Sequence, residues 1–300
     1  MVTGDRWRRQ PGLAAEPPAG APLPQRPGDT PAPDPADRPR PFDDRPPFHV
    51  ADAVTWLFLA AAGFVVGQVL ALVLLAAVAA SIGQLGHVAH LSAEATPPAW
   101  VVVCGLVGLW TGFVGAVVLA SRLRGTGRVV QDMGLRFRRS DLLVGPLAGV
   151  GSQLVLVPLL YLPLEQFIPN LQHRLSAPAK HLTGGFPGAD LVVIGVLTVL
   201  VVPVVEELLF RGVVLAAFVR LFGRAGRVVG PVLAVGCTGV LFGLAHAETL
   251  SLLGLAAFGI VLSVLAYRTG RLGPGILAHG AFNLVAVISV AHQGASVHLW

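Results

Sequence analysis

Six side chains in the C-terminal third of this 300-residue chain have types and spacings suited to hydrolysis. They fall in three runs: Glu206, Glu207 and Arg211 in PVVEELLFRG, His246 in LFGLAH, and His279 with Asn283 in AHGAFN. On a helix, Glu207 and Arg211 are i and i+4 and can neutralise each other on one face. Glu206 is rotated from Glu207 by roughly 100°, so its carboxylate points elsewhere and is free for another partner. His279 and Asn283 again share a face, and neither balances a charge locally. A carboxylate with an imidazole can take a proton from water, while imidazole and carboxamide donors stabilise a developing oxyanion. Glu206, His246 and His279 would also suit zinc, with a fourth position open for water. The contiguous H-E-x-x-H pattern is absent, so a zinc site rests on tertiary geometry and the cofactor stays open.

The elements that must hold these groups are set by composition. The chain is 54% hydrophobic and only 12% charged, about half the charge of a typical soluble domain. Uncharged runs long enough to cross a ~30 Å hydrocarbon core recur from residue 51 onward. Seven are expected, at about Val54 to Ser81, Ala99 to Ser121, Leu142 to Tyr161, Leu191 to Phe210, Val228 to Ala245, Thr249 to Tyr267 and Leu272 to Ala291. Helices are required, because lipid offers exposed backbone groups no partner. The fold class is therefore all-α, a polytopic membrane bundle of about seven transmembrane helices. Cys104 and Cys237 fall inside apolar runs and give no disulfide framework. An ionisable group inside such a run costs at least a few kcal/mol, which makes the three polar runs candidate sites rather than surface.

Residues 1–50 differ: they hold 13 of the 24 prolines and seven arginines against seven acids, with little to bury, and are expected to be a disordered cytoplasmic tail. The arginines beyond it alternate between connecting segments. Arg122, Arg124, Arg128, Arg136, Arg138 and Arg139 crowd one segment, Arg220, Arg224 and Arg227 another, and Arg268 with Arg271 a third. By the positive-inside rule the N-terminus is cytoplasmic and the C-terminus outside, which an odd number of spans satisfies. The positive charge therefore reflects topology and anionic lipid headgroups, and no basic patch with interleaved aromatics suggests nucleic acid.

The three polar runs resemble the motifs of the CPBP family, which comprises the CAAX proteases, including the type II CAAX prenyl endopeptidases, and bacteriocin-processing proteins. Its pattern is E-E-x-x-x-R, F-x-x-x-H and H-x-x-x-N, matched here by Glu206, Glu207 and Arg211, by Phe242 and His246, and by His279 and Asn283. The resemblance covers about 191–291, and residues 51–190 are read as further transmembrane helices, with 292–300 a short tail. It implies an intramembrane endopeptidase, in which Glu206 and His246 activate water while His279 and Asn283 hold the oxyanion. Glu207 and Arg211 then brace the site or position the substrate's C-terminal end. The implied substrate is a membrane-associated peptide or protein, of CAAX or bacteriocin type.

The same polar core also suits a catalytically inactive scaffold or immunity protein that uses it for packing or partner binding. A composition rich in Arg, Ala and Gly with the single lysine Lys180 points to a bacterial plasma membrane. One conflict stands out. Counted from the span edges, His246 lies near the outer end of its span, Glu206 ~24 Å from the outer start of its own, and His279 only eight residues after Arg271. For these groups to meet, a helix must break or tilt near Pro203 or Gly236 to Gly243, or the run from Thr249 to Tyr267 must be partly re-entrant.

Overall fold

Apolar runs this long leave the backbone one way to satisfy itself, and the computed structural model is helical throughout: no strand occurs among the described residues, which are 49–94, 97–171, 173–175 and 188–297. Five helices are long and apolar enough to cross a membrane: α1 (Val50–Ser81), α2 (Ala99–Arg124), α3 (Asp141–Leu164), α4 (Ala189–Leu221) and, after the shorter α5 (Val229–Ala245), α6 (Leu252–Thr269). The other two expected runs are helical, but α5 (Val229–Ala245) has only 17 residues, and α7 (Gly273–Val297) is apolar only over Gly273–Ser289. By length and composition, five of the seven expected runs are thus long and apolar enough to span, and the other two are helices with shorter apolar stretches. The tail expected at 1–50 lies almost entirely outside the described residues, and the last helix continues to Val297 instead of stopping at Ala291.

Small residues set the closest approaches. On α1 and α2, Gly63 and Gly67 face Gly108 and Gly112, each pair one turn apart, so the two backbones touch. A Cβ on Gly67 would stand 3.0 Å from the Leu109 carbonyl oxygen. The same device joins α3 to α7, where Gly145 and Gly149 lie against Pro274, Ala278 and the Phe282 backbone. Aromatic rings then link the bundle from side to side. Phe113 of α2 meets Phe210 of α4 at 6.3 Å, Phe210 meets Phe242 of α5 at 5.2 Å, and Phe258 of α6 stacks on Phe282 of α7 at 3.9 Å.

Two prolines leave their mark on helix form. Five-residue π turns occur at Leu197–Val201 and Ser152–Leu156, and each ends two residues before a proline, Pro203 and Pro158. A proline offers no N–H and its ring crowds the preceding turn; the widened π turn accommodates the ring without breaking the helix. A third π segment, Leu208–Val214, carries Arg211.

Helix length bears on the depth conflict. Helix α4 has 33 residues, roughly 50 Å at 1.5 Å per residue, against a ~30 Å core, so it must tilt or protrude. It runs on through Pro203 without a break, and α6 is an uninterrupted α-helix. Glu206 is mid-helix, 17 residues from Ala189 in a helix of 33. Helix α5 does end early, because Ala247 adopts a left-handed φ of 54° directly after His246.

Candidate active site

Glu207 and Arg211 form the centre, and both side chains are fully buried. Arg211 Nη1 donates to Glu207 Oε1 at 2.7 Å, as the i, i+4 spacing requires. Its Nη2 donates to the Gly259 carbonyl of α6 at 2.9 Å, and its guanidinium lies 4.5 Å from the centre of the Phe242 ring of α5. The second Glu207 oxygen lies beside Gly275 in the first turn of α7, at the positive end of that helix dipole. One ion pair from α4 therefore touches α5, α6 and α7. Sealed in this way, Arg211 has no exposed side-chain surface.

His279 sits between the two glutamates. Its Nδ1 faces Glu207 Oε1 at 3.3 Å, and its Nε2 faces Glu206 Oε2 at 3.8 Å. Phe242 and Phe258 fix the ring plane from two sides, edge-on at 5.6 and 5.7 Å. The 100° rotation does separate the carboxylates, yet an imidazole from another helix fits in the angle between them. Glu206 is the accessible member, with its side chain 13% exposed, and its Oε2 has no hydrogen-bond partner.

His246 caps α5 and lies with its ring 4.8 Å from Phe242. Its Nδ1 donates to the Phe242 carbonyl at 2.8 Å, a bond the F-x-x-x-H spacing makes local. It makes no hydrogen bond or ion pair with Glu206; the imidazole facing Glu206 is that of His279. Asn283, one turn after His279, is half-buried and gives its Nδ2 to the Thr198 carbonyl of α4 at 2.8 Å. In the π turn before Pro203 that carbonyl looks to the N–H of residue 203, which proline lacks. Asn283 therefore completes the backbone of α4, and one amide hydrogen remains for another acceptor.

As for the zinc reading, Glu206 and His279 adjoin while His246 stands apart. Among the described residues no three His, Cys, Asp or Glu side chains gather as a metal-binding group. The third nearby donor, Glu207, gives its Oε1 to Arg211, while its buried Oε2 has no hydrogen-bond partner. The donor set does not fit a three-ligand site in this geometry. Sequence reasoning missed the carbonyls of Gly259 and Thr198 and the ring of Phe258. Backbone carbonyls leave no signal in residue type, and a phenylalanine in an apolar run is indistinguishable from core.

Against known families, residues 188–285 match the family model described as Type II CAAX prenyl endopeptidase Rce1-like, about a third of the chain. No curated protein and no solved structure matches the chain.

Proposed function

Since residues 188–285 carry a domain of the CPBP family, whose Rce1-like members are peptidases, we propose that this chain is an intramembrane endopeptidase that cuts a membrane-associated substrate with water activated by Glu206. The observation that carries the reading is the unpartnered Glu206 oxygen 3.8 Å from His279 Nε2, a gap too long for a direct hydrogen bond and suited to a shared water. Glu206 accepts a proton from that water as its oxygen adds to the scissile carbonyl carbon, and the proton passes to the leaving nitrogen as the C–N bond breaks. His279, held by Glu207 and two phenylalanines, and the remaining amide hydrogen of Asn283 face the oxyanion side. His246 supplies a second base through Nε2. No step is assigned to a metal.

The substrate is the C-terminal part of a CAAX-type or bacteriocin-like peptide held at the bilayer, reached past the slightly exposed Glu206 rather than through sealed Arg211. The cytoplasmic side is taken as the arginine-rich one, with the N-terminus there and the C-terminus outside a bacterial plasma membrane. In support, the Asp52–Arg124 pair (3.4 Å) and the Asp141–Arg271 pair both join helix ends that the arginine count assigns to that side. A scaffold remains the second reading, because Glu207, Arg211 and Asn283 all spend their polar groups tying helices together. Glu206→Gln separates the two. It keeps shape and hydrogen bonding, so a scaffold tolerates it, whereas the reconstituted peptidase loses cleavage of a lipid-modified C-terminal peptide by about 10²–10⁴-fold. Normal cleavage by Glu206→Gln would refute the peptidase mechanism.

A further inference from the structure

Helix α3 lies outside the matched segment and contributes none of the six motif residues, yet it holds both histidine-bearing elements at three heights. At one end, Asp141 takes Arg271 in a two-pronged pair, Nη2 to Oδ1 at 2.5 Å and Nε to Oδ2 at 3.2 Å, while also accepting the Arg138 N–H at 2.8 Å. Asp141 is buried, and the loop before it adds two backbone bonds, from Leu272 N to the Gly134 carbonyl and from Gly273 N to the Arg136 carbonyl. These bonds fix where α7 begins. In the middle, Gly145 and Gly149 let α3 seat against the backbone that flanks His279. At the other end, buried Tyr161 donates to the Leu250 carbonyl and accepts from Gly254 N at 3.0 Å, pinning the turn that follows His246.

We propose that Gly149 and Asp141 of α3 are positioning residues that set the distance between His279 and Glu206, so that the catalytic unit includes a helix outside the matched domain. A Cβ on Gly149 would overlap the Ala278 carbonyl oxygen and stand 2.9 Å from its carbonyl carbon and 3.0 Å from Phe282 N, all backbone atoms that cannot rotate away. Ordinary C···O contacts begin at about 3.3 Å, so α7 must withdraw by roughly 1 Å, carrying His279 with it. Displacement of a catalytic group by that amount costs about 10²-fold in rate. Gly151, two residues on, has nothing within 4 Å of its would-be Cβ and is the matched control.

The inference rests on the peptidase reading, so its test has one arm in cleavage and one that needs none. In cleavage, Gly149→Ala lowers kcat about a hundredfold with KM unchanged, and Gly151→Ala matches wild type. Asp141→Asn, which preserves shape, gives a smaller loss should Gly149→Ala fold poorly. In a His279→Ala background with residual activity, Gly149→Ala adds nothing, because the residue through which it acts is gone. A further, additive loss there would overturn the proposal. In the second arm, the full-length protein in detergent is labelled with ¹⁵N-histidine and the His279 signals are assigned by their absence in His279→Asn. They shift in Gly149→Ala and Asp141→Asn and stay in place in Gly151→Ala; unshifted signals in the first two overturn the proposal whatever the cleavage result. If the signals shift and wild type cleaves nothing, the peptidase reading fails and the positioning role stands.

Discussion

Arg211→Met is the sharpest test of how the centre is held. Methionine keeps much of the length and volume of the arginine, so the perturbation is mainly electrostatic. Glu207 Oε1 loses its 2.7 Å donor, the Gly259 carbonyl loses its 2.9 Å donor, and Phe242 loses the cation at 4.5 Å. Removing one member of a buried pair leaves an uncompensated charge and costs about 3–5 kcal/mol. The cation–π contact adds about 0.5–2 kcal/mol, and protonation of the stranded carboxylate limits the total, so a net loss of about 4 kcal/mol is expected. At ~2–4 °C per kcal/mol for a chain of this size the thermal midpoint in detergent falls by about 8–16 °C. The double variant Glu207→Gln with Arg211→Met removes both charges and returns to within about 1 kcal/mol of wild type, since a buried pair gains little over neutral packing. It nevertheless cleaves slowly, by about 10²-fold, because His279 Nδ1 no longer faces an anion that fixes its ring. Unfolding followed by intrinsic fluorescence reads stability, and single-turnover cleavage reads the second effect. Equal stability of Arg211→Met and wild type, or a double variant as unstable as the sum of its parts, refutes this account of the ion pair.

Three further outcomes follow from the same geometry. Gly112→Ala, whose Cβ would stand 2.6 Å from the Gly67 backbone, lowers the thermal midpoint by driving α1 from α2, while Gly115→Ala, open on that side, leaves it unchanged. Tyr161→Phe strands the Leu250 carbonyl and the Gly254 N–H and costs about 1–3 kcal/mol in the same unfolding assay. Dialysis against a strong chelator leaves cleavage within twofold, since no three His, Cys, Asp or Glu side chains gather as a metal-binding group among the described residues; restoration of a lost activity by zinc alone would contradict this.

Local spacing made part of this site readable in advance and long-range packing hid the rest. The Glu207–Arg211 pair follows from helix periodicity alone, and so does the freedom of Glu206. That His279 enters the angle between the two carboxylates depends on α4 and α7 crossing 72 residues apart in the chain, which no periodicity encodes. Asn283 shares a helix face with His279, as its spacing requires, but the acceptor it finds is a carbonyl freed by Pro203. Asp141 and Tyr161 sit at the two ends of an apolar run, where a carboxylate or phenol ordinarily meets the headgroups, so nothing in their type marks them as ties to distant loops. Helix length was less legible than helix content: hydropathy reports apolar content, whereas the early end of α5 is set by the backbone turn at Ala247.

The bond from Asn283 to Thr198 has a consequence for how this bundle is inherited. Pro203 removes a peptide donor from one helix, and the amide of another helix stands in for it, so the two residues form a complementary couple encoded 80 positions apart. Either change alone is costly in its own way: loss of Asn283 strands a carbonyl where lipid offers no substitute, while replacing Pro203 restores the missing N–H and sets the amide loose. Only a coordinated exchange passes unpenalised. The imperfection in α4 thereby works as a checksum on assembly, satisfied only when α7 arrives in the register that also brings His279 to Glu206.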